Sequence, residues 1–257
     1  MRMKKYSWGL EELDNLTGGL QSILTMIFGE TASGKTTLAA YIPITRISLE
    51  LKEKIGEIPE KGKFIIIDGD GGFDYDRLRQ VVENNGLSFD EVVDHIDYTE
   101  VTEFEQQHNL VKKLPTRLQD EGIKPLLITF DPMTAIYRGI ILRTDMKHKA
   151  SKIGIYTGKL DLQLSTLRHL SVVYDVPIIV TTWPSSPVGE AFGVRGENPF
   201  IGGRQFGFLP KMILRLSIIS EGSPEREVYL WKAKGLPSGK SIRIKLSDAG
   251  IGSIESS

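Results

Sequence analysis

Gly29-Glu30-Thr31-Ala32-Ser33-Gly34-Lys35-Thr36 spells the complete G-x-x-x-x-G-K-[ST] pattern of a phosphate-binding loop, and its flanks decide the fold. The run Ile23-Leu24-Thr25-Met26-Ile27-Phe28 leading in is apolar and β-prone; Thr37-Leu38-Ala39-Ala40-Tyr41 leading out suits a helix. A strand, a glycine-rich turn and a helix in that order let successive backbone N–H groups face one anion, and the helix N-terminus adds its positive dipole end. Lys35 is then placed to reach the β- and γ-phosphates, and the Thr36 hydroxyl to ligate Mg²⁺. A chance glycine-rich turn would lack both flanks, so the stretch predicts a nucleoside triphosphate site.

The pattern repeats outward from the loop. Phe64–Asp68, Leu126–Asp131 and Pro177–Thr182 are further strand candidates. They alternate with the helix-length segments Lys35–Lys54, Asp74–Asn84, Thr102–Glu121 and Ala150–Asp175. Such alternation predicts an α/β fold with a twisted, mostly parallel sheet flanked by helices. Thr102-Glu103-Phe104-Glu105 reads as a capping box opening one helix, which Pro115 is expected to kink or end. Beyond residue 205 come Lys211–Ile219, Arg226–Lys234 and Ser241–Ser247, separated only by turn residues. These predict C-terminal antiparallel strands added to the sheet edge. With no internal repeat or linker, residues 1–257 read as a single domain.

Composition narrows the function classes. Hydrophobic content of 40% supports a sizeable core, and a net charge of −1 excludes a generic polyanion binder, so any nucleic-acid contact must come from local clusters. The absence of cysteine excludes disulfides, thiolate metal sites and a cysteine nucleophile, and fits a reducing cytoplasm. Met1-Arg2-Met3-Lys4-Lys5 is basic without a following apolar stretch, and no run reaches membrane-spanning length. A cytoplasmic protein with no membrane partner is expected.

A phosphate loop needs a distant strand-end carboxylate for the magnesium shell. Leu126-Leu127-Ile128-Thr129-Phe130-Asp131 ends in one, which assigns the metal role to Thr36 and Asp131. Ile67-Asp68-Gly69-Asp70-Gly71-Gly72-Phe73 is a second strand end running into an acidic, glycine-rich turn. A carboxylate there faces the cleft beyond the strands and is suited to orienting water. A plain Asp-Gly turn fits the same residues equally well.

Together these segments resemble the RecA/RadA recombinase family, most closely the archaeal RadA paralogues built from the ATPase core alone. The likeness runs from Gly9-Leu10-Glu11-Glu12-Leu13-Asp14 to Gly250-Ile251. It is carried by Gly29–Thr37, Ile67–Leu78, Phe130–Arg138, Val180–Pro184, Ile201-Gly202-Gly203 and Lys232–Gly239. It implies a RecA-like phosphate-loop ATPase core with ATP and Mg²⁺ as cofactors, Gly29 through Thr37 holding the nucleotide and Lys35 and Asp70 in catalysis. The family's water-activating glutamate is matched by Asp70, one methylene shorter, which implies slow hydrolysis. Its Phe-x-x-x-Arg-Leu stretch is matched by Phe73, Arg77 and Leu78, with Arg77 stacking on adenine. The family's γ-phosphate-sensing glutamine is replaced by Trp183, whose indole donates once and accepts nothing; Thr182 is the partial substitute.

Two family loops bind single-stranded DNA. The first resembles the basic stretch from Arg138 through Arg143, Lys147 and Lys149 to Lys152, where counter-ion release would drive sequence-independent binding. A solvated basic helix start fits it too. The second resembles Pro184 to Arg204, where Phe192, Arg195, Phe200 and Arg204 intersperse rings and cations, the rings free either to stack on bases or to pack inward. Lys232 and Lys234 resemble a lysine pair that reaches a neighbouring subunit's γ-phosphate, although period-two alternation alone places two lysines on one strand face. The implied function is an accessory ATPase of homologous recombination and repair, oligomeric or not, alongside a RadA-type recombinase. The rivals are a KaiC-like signalling ATPase without a DNA role and a nucleotide-gated binding module with negligible turnover.

Overall fold

Strand β3 (Leu24–Gly29) is buried at every residue, which is what a strand covered on both faces requires. In the computed structural model, which describes residues 4–185 and 199–254, β3 lies inside a nine-stranded sheet of order β11-β10-β9-β8-β3-β7-β6-β4-β5. The other strands are β4 (Gly62–Asp68), β5 (Ile96–Glu100), β6 (Lys124–Asp131), β7 (Ile178–Thr182), β8 (Met212–Ile218), β9 (Glu225–Ala233), β10 (Ser241–Ser247) and β11 (Gly250–Gly252). A separate antiparallel pair joins β1 (Lys5–Tyr6) to β2 (Leu20–Gln21).

Period-two alternation divides the core into two layers. Ile27, Phe64, Ile66 and Ile179 face one side, under α1 (Glu11–Thr17), α2 (Ile42–Ile55), α3 (Tyr75–Asn84) and α4 (Phe89–Val93). Met26, Phe28, Ile65, Ile67 and Val180 face the other, under α5 (Phe104–Asp120), α6 (Ala135–Arg143), α7 (Met146–Val173) and α8 (Arg204–Phe208). The expected α/β class and mostly parallel sheet are therefore present.

The expected C-terminal antiparallel strands are present: β9 pairs antiparallel with β8, β10 with β9 and β11 with β10, and β8 joins the sheet by pairing parallel to β3. Other expectations are corrected. Pro115 does not end α5, because Phe104, Gln107, Val111, Leu114 and Leu118 form a buried stripe that continues past it. The cap of α5 is displaced by one residue. Its N-cap Glu103 makes no side-chain cap bond, and Gln106 Oε1 instead accepts from the Thr102 N–H at 3.0 Å.

The expected helix Lys35–Lys54 is interrupted by a π-helical turn, Thr37–Tyr41, before α2. Pro43 supplies the reason, since it has no N–H for the carbonyl four residues back. That carbonyl, on Ala39, accepts instead from the buried Thr129 hydroxyl of β6 at 2.7 Å.

Candidate nucleotide site and nucleic-acid surface

The parallel strands bring their carboxyl ends to one edge, and there β3 hands the chain to the phosphate loop. Gly29 is required by close approach: a Cβ there would lie 2.2 Å from the Leu216 carbonyl oxygen. Ala32 at φ 60° and Gly34 at φ 96° turn the loop through left-handed backbone. Lys35 is buried, and its Nζ folds back to donate to the carbonyls of Gly29 at 3.0 Å and Glu30 at 2.6 Å. Desolvation pulls its pKa below the ordinary ammonium range, opposed by the fields of Asp131, Asp70 and Glu30. The Ser33 hydroxyl, beside Gly29, is buried without a hydrogen-bond partner.

The loop meets the expected strand-end acid. Thr36 Oγ1 donates to Asp131 Oδ2 at 2.5 Å, and Thr181 of β7 donates to the other oxygen, Oδ1. Burial raises the Asp131 pKa, while the two hydroxyls and the Lys35 ammonium act the other way. The sequence reading did not single out Thr181, although its place in the strand next to β6 makes it the natural neighbour of a β6-end residue.

The acidic turn after β4 divides its two carboxylates by role. Asp68 is buried and accepts from the backbone N–H groups of Asp70, Gly71, Gly72 and Phe73 at 2.9–3.3 Å, and from the Tyr98 hydroxyl at 3.1 Å. Asp68 therefore shapes the turn, and Asp70 is the carboxylate left exposed at the cleft. Partial desolvation, then the charges of Asp131 and Asp68, push the Asp70 pKa up to about 6. Arg77, on α3, is tethered to the β10–β11 turn: Nη2 donates to the Ser247 carbonyl at 2.5 Å, and Asp248 lies 3.8 Å from Nη1.

Trp183, where the family pattern has glutamine, follows β7 directly. Its ring carries the Arg138 guanidinium 5.2 Å from the centroid. Thr182 Oγ1 lies 2.7 Å from Thr134 Oγ1, just before α6, and donates to the Ile201 carbonyl at 2.8 Å. Both candidate DNA segments are thus tied to the strand whose Thr181 holds Asp131. Pro184 bridges Phe200 at the base of the second segment. Phe200 is buried against Phe28 with ring centroids 5.3 Å apart, so of its two open readings it takes the inward one. Arg204 is exposed, and Phe192 and Arg195 lie outside the described residues.

The first segment is two helices rather than a loop. Arg138 and Arg143 lie on α6 and are exposed; Lys147, exposed, and Lys149, half-buried, lie on the first turn of α7. Asp145 caps α7 by accepting from the His148 N–H and also meets its Nδ1 at 2.9 Å, so the stretch's lone acid is spent locally. Leu142 and Met146 stand 68% and 78% exposed beside these cations, giving a tip with apolar as well as basic character.

Lys232 and Lys234 sit near the start of β8, at the opposite sheet edge from the phosphate loop, so any contact with a triphosphate must be with another subunit's. Lys232 Nζ donates to the carbonyls of Gly207, Phe208 and Pro210 at 2.8–3.0 Å within its own chain. Lys234 is exposed.

One residue the sequence reading passed over completes the loop. Arg226 on β9 donates from Nε to the Ser33 carbonyl at 3.0 Å and from Nη2 to the Ala32 carbonyl at 3.2 Å. The available signal was alternation: Arg226 shares its strand face with the buried Val228 and Leu230.

A phosphate loop bonded to a strand-end aspartate on a mostly parallel sheet, with antiparallel strands closing one side, defines the RecA-like nucleotide-binding class. Within that class the Rad51 family model matches residues 2–253, and the chain belongs to that family. It is 28% identical to the DNA repair and recombination protein RadB of Thermococcus sibiricus, over 96% of this chain and 94% of the relative. It is 27% identical to RadB of Thermococcus onnurineus, over 95% and 96% respectively. Against the DNA repair and recombination protein RadA of Aeropyrum pernix it is 25% identical over 94% of this chain and 71% of the relative.

Proposed function

We propose that this protein binds ATP with Mg²⁺, hydrolyses it slowly, binds single-stranded DNA and acts as an accessory factor to a RadA-type recombinase. Membership of the Rad51 family supports ATPase activity in general, and kinship with proteins named for DNA repair and recombination supports a recombination-related role. The observation that carries the reading is the chain Thr36–Asp131–Thr181, which joins the phosphate loop to the strand both candidate DNA segments hang from.

The residues fit the nucleotide and its metal. Gly29 and Gly34 let the loop pack where a Cβ would meet the Leu216 carbonyl oxygen at 2.2 Å and the Leu246 side chain at 2.8 Å, and Thr36 and Asp131 offer hard oxygen donors. Among the described residues no group of three or more His, Cys, Asp or Glu could hold a metal, so water and the nucleotide's own oxygens would complete the shell. Bound Mg²⁺ supplies charge neutralisation at the phosphates; Thr36 and Asp131 are the residues that would hold it. Lys35 leaves the Gly29 and Glu30 carbonyls to meet the β- and γ-phosphates. Asp70 accepts a proton from the attacking water, or orients it. Thr182, in place of the missing glutamine, links the site to α6 and to Ile201.

A second reading, a nucleotide-gated binding module with negligible turnover, is favoured by Asp70 itself, whose side chain is one methylene shorter than the family's glutamate and reaches less far toward an attacking water. ATP turnover with and without single-stranded DNA, for wild type, Lys35→Ala and Asp70→Glu, separates the two. Slow turnover that is stimulated by DNA and lost in Lys35→Ala supports the ATPase. No turnover in wild type, with nucleotide binding intact, selects the module. DNA affinity that is independent of salt and no better than that of an acidic control protein would instead select the signalling rival.

A further inference from the structure

Arg226 is a buried cation whose hydrogen-bond partners among the described residues are all carbonyls. Besides the Ala32 and Ser33 carbonyls it donates from Nη1 to those of Ser223 at 2.5 Å and Glu225 at 2.8 Å. Among the described residues no carboxylate forms an ion pair with it. Burying a charge with its donors satisfied but its field uncancelled is costly unless something else nearby complements it. The geometry says what that is. In a trans peptide the C=O and the following N–H point in opposite directions. Holding the Ala32 and Ser33 carbonyls toward Arg226 therefore turns the Ser33 and Gly34 N–H groups away from it: the Ser33 N–H meets the Glu30 carbonyl at 3.3 Å, and the Gly34 N–H faces the side where a phosphate loop gathers its anion.

We propose that Arg226 is a positioning residue for the triphosphate: it fixes the loop's peptide planes and supplies, from behind the loop, a positive charge that the bound phosphates complement. It also ties the β8–β9 turn to the loop through Ser223 and Glu225. This rests on the ATP reading above, and it assigns part of the affinity to a strand that does not touch the nucleotide. The interaction is preorganised electrostatics, exerted on phosphate charge and not on the base.

The test is displacement of a fluorescent ATP analogue by MgATP, MgADP and adenosine in wild type, Arg226→Lys and Arg226→Gln. Arg226→Gln is expected to weaken ATP and ADP by about tenfold or more while leaving adenosine unchanged, and Arg226→Lys, which keeps the charge, to recover to within about threefold of wild type. Wild-type affinity in Arg226→Gln, equal losses for Lys and Gln, or an equal loss for adenosine overturns the inference. If Arg226→Gln does not fold, the Arg226 Nε–H resonance of the wild-type protein decides: it is expected to shift on adding MgATP analogue but not adenosine, and a fixed resonance overturns the proposal. A wild type that binds no nucleotide removes the underlying ATP reading, and this one with it.

Discussion

Asp131 and Asp70 share one cleft but stand in different environments. Asp131 is buried and accepts from Thr36 and Thr181, which hold its two oxygens in place. Asp70 is exposed with its pKa raised to about 6, so its charge is conditional. A water-activating carboxylate works unprotonated; turnover should fall as pH drops through about 6 and level off above it. A pH–rate profile checks this, and Asp70→Asn should be both slower and flat across the same range. The stability sign is opposite. The fold favours protonated Asp70, so that contribution is present below the ordinary carboxylate range and lost as pH rises through about 6. Asp70→Asn should therefore melt higher than wild type at pH 8 and lose that advantage at pH 4. Lengthening the side chain in Asp70→Glu should raise turnover by roughly tenfold, read in steady-state assays.

At the scale of elements, the strands and the loop were legible because their signals are local: apolar runs, glycines at fixed spacing, a carboxylate ending a strand. What was not legible depended on distant partners. Pro43 inside the first helix is tolerated because Thr129, on a strand far along the chain, takes over the Ala39 carbonyl. Thr129→Val keeps the shape and removes that donor, leaving a buried carbonyl unmet; it should cost about 1–3 kcal/mol in chemical denaturation. Pro115 reads as a helix stop, yet the buried stripe of α5 overrides it. β5 and the short β11 carry little apolar signal (β5 is Ile-Asp-Tyr-Thr-Glu), and each exists only because β4 or β10 lies alongside. Arg226 looks like one more surface charge until alternation along β9 turns it inward. Asp68 was visible as a residue but not as the organiser of the Asp70 turn, which only its four backbone donors reveal.

Across the whole molecule, the candidate nucleotide site and the candidate DNA segments meet on β7. Thr181 faces Asp131, Thr182 bonds toward Thr134 and Ile201, and Trp183 stacks with Arg138. Trp183→Gln should strengthen the stimulation of ATP turnover by single-stranded DNA, if indole is what weakens the link; unchanged stimulation would show that the threonines carry it alone. The exposed tip of α6 and α7 should supply sequence-independent affinity. The double variant Arg143→Glu, Lys147→Glu should bind single strands more weakly, and its log–log salt slope should fall by about 1.4, or 0.7 for each lost phosphate contact. An accessory role further predicts little strand exchange without an added recombinase.

The phosphate loop remains the central claim, and calorimetric titration with a non-hydrolysable ATP analogue and Mg²⁺ tests it most directly. Wild type should take up one equivalent per chain, and Lys35→Ala, folded by circular dichroism, should take up far less. Absence of binding to folded wild type, or equal binding by Lys35→Ala, would contradict the account.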